Sequence, residues 1–346
     1  MRRITRGFLC VAALVIAIGT LAADKPKDKA KDQETMASLI QKGEYQKVVD
    51  LGKAAIAANK VDESVYTSLG VAYFQLKDYP NAIASYEEAS KLNPLDSQPL
   101  LYEATIYHTM GQDDKTAETF RRVIAIDPAN KDVRYNVAQV LEKQGKVDDA
   151  LVQYEEIFKM DPAFKDVAFA IGLIDYDKEQ YGPAEPYFDK ALSLQPGDEQ
   201  ILLAQGQNYL KGGKLDQAIP PLKAFLDVTK NENYKPAVTG TVAGLYVKQA
   251  EKAMAPVKNS KDKAAIAQAE ATAKVSYGNA VVYFDKLLVM RPNSEAALEG
   301  KARALIMMDR SQDALPVLKQ FMQVSKNEAE KKSVADTIKK IEAQKK

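Results

Sequence analysis

The chain has 346 residues, 46% of them hydrophobic and 27% charged, which is too apolar for wholesale disorder and long enough for two ordinary domains or one repeat array. Its 48 basic and 47 acidic side chains nearly cancel, so no global field draws it to nucleic acid or anionic lipid. Cys10 is the single cysteine, which excludes an internal disulfide framework and a cysteine metal site.

At the N-terminus Arg2, Arg3 and Arg6 precede an apolar run from Phe8 to Ile18, closed by Gly19, Thr20, Leu21, Ala22 and Ala23. A basic start, a short apolar run and small residues at its end read as a secretory signal peptide over 1–23, cut after Ala22 or Ala23. The expected location is therefore periplasmic or secreted. An uncleaved N-terminal membrane anchor is the rival, although the run falls short of the roughly 20 residues a span takes. Cleavage would remove Cys10 and leave a nearly neutral chain with no stable membrane span. The next stretch, 24–33, reads DKPKDKAKDQ and has no apolar stripe, as a solvated linker should.

From there a period of 34 residues governs the chain. Tyr66, Leu69, Gly70, Tyr73, Ala82, Tyr86, Ala89 and Pro94 set the first clear frame. One shift brings Tyr107, Gly111, Phe120, Val123 and Pro128 into matching places; the next brings Ala138, Leu141, Gly145, Ala150, Tyr154, Ile157 and Pro162. Two more give Gly172, Ala184, Phe188, Ala191 and Pro196, then Gly206, Tyr209, Gly213, Ala218, Leu222 and Phe225. Apolar spacing of three and four residues marks two amphipathic helices per unit. The Gly/Asp/Lys breaks mark the turn between them, and the closing prolines stop the second helix. Small residues such as Gly70, Ala138 and Gly172 should admit the second helix closely, with Tyr86, Phe120, Tyr154 and Phe188 filling the space toward the next hairpin.

This pattern resembles the tetratricopeptide repeat family, whose period is 34 residues. The resemblance implies an all-α fold: a right-handed superhelical solenoid of about eight helical hairpins with a C-terminal capping helix. Six tandem repeats are expected over 29–232, the first of them weak, with Met36, Leu39 and Ile40 on its first helix. A seventh spans 233–294. There Tyr246 and Ala280 stand 34 positions apart instead of the family's nine, and an alanine-rich insertion predicts two lengthened helices in a projecting hairpin. An eighth repeat covers 295–328, and 329–346 forms the cap, with Val334, Ile338 and Ile341 on one stripe.

Candidates for chemistry are few. His108 is the one histidine, and the neighbouring carboxylates Glu87/Glu88, Asp113/Asp114, Asp148/Asp149 and Glu155/Glu156 recur at structural registers of the repeat. No catalytic set, cofactor loop or metal-ligand cluster is expected.

In the family, first helices line a concave groove. Carried over, the lining residues are Thr67, Val71, Phe74, Gln75, Leu101, Thr105, His108, Tyr135, Gln139, Glu142, Phe169, Leu173, Tyr176, Leu203 and Gln207. Thr109, Lys143, Asp177 and Lys211 extend the same positions. The aromatics Phe74, Tyr135, Phe169 and Tyr176 serve there either as anchors for a partner or as packing against neighbouring repeats. The resemblance implies a non-enzymatic scaffold that binds a protein or peptide, with no cofactor, no metal and no nucleic acid. Self-association as a homo-oligomer through the seventh hairpin, or service as a non-catalytic subunit of an envelope complex, are the alternatives.

Overall fold

A computed structural model describes residues 35–343; the signal and the linker expected at the N-terminus lie outside them. Among the described residues all regular structure is helical. The chain divides into two compact units between Ile171 and Gly172.

The first unit contains α1 (Met36–Gln41), α2 (Tyr45–Ala57), α3 (Glu63–Gln75), α4 (Tyr79–Leu92), α5 (Gln98–Thr109), α6 (Asp113–Ile126), α7 (Lys131–Lys143) and α8 (Val147–Met160), and reaches into α9 (Val167–Asp177). The second continues with α10 (Tyr181–Leu194), α11 (Glu199–Lys211), α12 (Leu215–Val228), α13 (Lys235–Met254), α14 (Lys263–Met290), α15 (Glu295–Met307), α16 (Ser311–Val324) and α17 (Glu328–Ala343). Within each unit, helices adjacent in sequence pack as hairpins, and hairpins pack on their neighbours.

The period is visible in the backbone. Residues 43, 77, 111, 145, 179 and 213, each 34 beyond the last, all take a left-handed φ between 61° and 77°. They end the first helix of each hairpin by sending two backbone N–H groups back to it: Gly145 N donates to Glu142 O at 2.9 Å and Lys146 N to Leu141 O at 2.9 Å. Glycine adopts that conformation without strain, and Gly43, Gly111, Gly145 and Gly213 supply it. Each second helix before a closing proline ends two residues ahead of it, at Leu92, Ile126, Met160 and Leu194, because the residue before proline is driven out of helical space.

Small residues set the helix spacing. A Cβ on Gly70 would lie 2.5 Å from the Tyr86 ring, and one on Gly172 would lie 2.9 Å from Phe188. Tyr86 is thus buried against its own hairpin, and it also stacks on Tyr102 of the next at 5.0 Å between centroids. Burying such a ring contributes about 1.5–3 kcal/mol.

The insertion lengthens the two helices of its hairpin unequally. α13 has 20 residues and α14 has 28, against 13 and 14 in the preceding pair α11 and α12. A one-turn 3₁₀ segment, Ala255–Val257, follows α13, where Pro256 forbids continuation. α17 buries Ile341 and half-buries Val334 and Ile338 in the cluster formed by Leu305, Leu318 and Phe321.

Candidate functional site

The expected lining residues follow helical steps of three and four, so each helix carries its share on one face. In the first unit α3 carries Thr67, Val71, Phe74 and Gln75; α5 carries Leu101, Thr105 and His108; α7 carries Tyr135, Gln139 and Glu142; and the start of α9 carries Phe169. In the second unit α9 carries Leu173 and Tyr176, and α11 carries Leu203 and Gln207.

Burial divides this set. Tyr135 retains 7% of its surface and Phe169 8%, so both belong to the packed interior and neither is presented as an open anchor. The reason is local. The register that holds an N-capping side chain at Asp62, Asn130 and Asp198 holds Phe164. Without a capping oxygen the helix starts later, at Val167, with Lys165 in left-handed backbone. The Phe164 ring instead meets Tyr135 at 6.2 Å, while Tyr154 meets Tyr135 at 5.7 Å and the Lys165 ammonium sits 5.1 Å from its centroid. Val71 and Thr105 are buried too; the Thr105 hydroxyl donates to Leu101 O at 2.8 Å.

Phe74, Leu101, His108, Gln139, Glu142, Leu173, Tyr176, Leu203, Gln207 and Thr67 are half-buried, and Gln75 is exposed. Phe74 leans on Tyr79 at 5.9 Å and Tyr176 on Tyr181 at 5.6 Å. Glu142 accepts a hydrogen bond from the Tyr154 hydroxyl at 2.7 Å. Burial holds the His108 imidazole below its usual range, the Lys143 charge adds to that, and Asp113 opposes it. At neutral pH it is therefore an uncharged, half-covered ring. The accessible remainder is a mixed surface of aliphatic, aromatic and amide groups, suited to hydrogen-bonding and apolar contact.

The paired carboxylates Asp113 and Asp114 have structural partners. Asp113 pairs with Lys143 at 2.6 Å, and Asp114 accepts from the Gln144 amide at 3.1 Å, so both tie one hairpin to the next. Among the described residues no group of three His, Cys, Asp or Glu side chains could hold a metal, and no helix is long and apolar enough to cross a membrane.

Models of the tetratricopeptide repeat match residues 64–95 and, in two overlapping stretches, 109–164 and 135–199. No curated protein matches the sequence. Among solved structures, MamA is 19% identical, with a TM-score of 0.42 over 51% of this chain and 94% of its own. YrrB, described as a TPR protein with an unusual peptide-binding site, is 18% identical, with 0.44 over 52% and 93%. The C-terminal part of a TPR repeat-containing protein from Cytophaga hutchinsonii is 17% identical, with 0.46 over 77% and 97%.

Proposed function

Given that this chain is a tetratricopeptide repeat protein, we propose that it is an exported, non-enzymatic scaffold that holds a segment of another protein against the first helices of its hairpins. The observation that carries this reading is the half-buried surface left on those helices. Phe74, Gln139 and Leu173 remain half-buried after the hairpin core is complete, as does Gln207, whose Oε1 is covered. Surfaces of that composition bind through a few desolvated anchors surrounded by hydrogen bonds.

Photo-crosslinking side chains placed at Gln139 and Gln207 test it. A partner protein captured at either position, and lost when the anchor of the same unit (Phe74 for Gln139, Leu173 for Gln207) becomes alanine in a folded protein, supports the scaffold. Capture that is unaffected by those substitutions refutes the surface. Export rests on the basic and apolar start of the chain. It predicts that the mature protein begins at Ala23 or Asp24, which N-terminal sequencing reads directly.

Self-association is the second reading, favoured by α14. Val275, Val282 and Val289 stand seven residues apart on this helix, 68%, 51% and 83% exposed, and an apolar repeat of seven is the spacing by which helices pair. Val282→Glu should lower the mass in solution if copies meet there. An unchanged mass removes this reading.

A further inference from the structure

The valine line on α14 carries more than a site of self-association; the charges beside it give the pairing a direction. Val275, Val282 and Val289 advance by seven residues and so stay within about 40° of one another around the helix. Asp285 and Lys286 flank that line on opposite sides, and their own contacts fix which side each takes. Asp285, three residues past Val282, turns toward α15, where Lys301 Nζ stands 2.6 Å from its Oδ1. Lys286, four residues past Val282, turns toward α13: its Nζ lies 4.8 Å from the Tyr283 ring, which packs on Tyr246 of α13 at 5.8 Å. Both keep reach into solvent, since the Asp285 side chain is 52% exposed and Lys286 is exposed. One heptad earlier the same two positions hold Gly278 and Asn279, neither of them charged.

Two copies of one helix related by a two-fold axis run either parallel or antiparallel. An axis along the helix sets each residue level with its own counterpart and turns the α13 side of one copy to the α15 side of the other. Lys286 then meets Asp285 of the second copy, and the reverse pair forms across the line. An axis perpendicular to the helix at Val282 inverts the levels and brings like sides together. Val275 would then face Val289, Lys286 would face Asn279, and Asp285 would face Gly278, so no ion pair forms. Valine at successive heptad positions also favours two strands in parallel coiled coils.

We propose that α14 pairs with α14 of a second copy in the parallel sense, valine against like valine, with two reciprocal Lys286–Asp285 ion pairs flanking the seam. This inference rests on the self-association reading and adds its orientation and register. The second copy is the occupant because the face supplies, on its two sides, the opposite charges that its own two-fold image requires.

Introduced thiols test the orientation. Cys10 is the single cysteine, so with Cys10→Ser one new cysteine reports each contact. Val275→Cys alone and Val289→Cys alone should each form disulfide-linked dimers in oxidised glutathione, and an equal mixture of the two should add no mixed dimer. Mixed dimers without either homodimer would overturn the parallel arrangement. Val282→Cys links in both orientations; its failure to link, together with an unchanged mass for Val282→Glu, would instead remove self-association itself. The ion pairs have a separate readout. Asp285→Lys should weaken the dimer by about tenfold, measured by sedimentation over a concentration series, and adding Lys286→Asp should restore it. A double variant as weak as the single one would overturn the reciprocal pairs.

Discussion

The ring of Tyr86 rests on the backbone of Gly70, in the place that a side chain at 70 would occupy: a Cβ there would stand 2.5 Å from Cε1 and 2.6 Å from Cζ. Tyr86 is 1% exposed and has Tyr102 stacked on its other side, so it has no room to withdraw. Gly70→Ala should therefore destabilise by about 1–3 kcal/mol, an overpacking effect, read as a lower midpoint in denaturant.

Gly244 on α13 makes the opposite case. A Cβ there meets nothing within 4 Å, and glycine inside a helix is less favourable than alanine by about 0.5–1 kcal/mol. Gly244→Ala should raise the stability of the free protein by that amount in the same unfolding measurement. A loss would mean that the helix face is covered in solution.

Tyr154 is fully buried and its hydroxyl donates to Glu142. Tyr154→Phe removes a hydrogen bond to a carboxylate and should cost about 1.5–3 kcal/mol, whereas Tyr154→Ala also opens a cavity and should cost about 3–5 kcal/mol. Circular dichroism during thermal unfolding ranks the two. Tyr135→Ala belongs with them as a packing variant, since the same rings surround it.

Asp62 and His108 both give acid sensitivity. Asp62 caps α3 by accepting from Val65 N at 3.1 Å, and its carboxyl lies below the ordinary 3.8 chiefly because Ser64 donates to it. His108 is also held low, by burial. Both are depressed on folding, so each contributes stability above its unfolded pKa that disappears as pH falls through the folded value. For His108 that window lies at and below 6.5; for Asp62 it lies at and below 3.8. His108→Gln should flatten the upper part of the acid-unfolding curve and Asp62→Asn the lower part.

Much of the hairpin ladder was legible because the sequence repeats its constraints. Gly70, Gly172 and Gly206 meet large side chains at one register, and closing prolines follow at another. The turns at 77 and 179 were harder, because Lys77 and Glu179 adopt the left-handed backbone that glycine advertises elsewhere. The candidate surface was legible only as positions. Whether Tyr135 is an anchor or a core residue depends on Phe164, and nothing in the local pattern reveals that a ring in a capping position will turn back onto the preceding hairpin.

α14 is about 42 Å long at 1.5 Å per residue, and it gives Ala280, Tyr283, Phe284 and Leu287 to one apolar cluster and Ala273, Tyr277 and Val281 to another. In a plain ladder of hairpins each rung answers only to its neighbours, and the ends fray first. A single rod shared by two clusters removes that independence. The C-terminal unit should then melt in one sharp step, like a beam that holds or fails along its whole length.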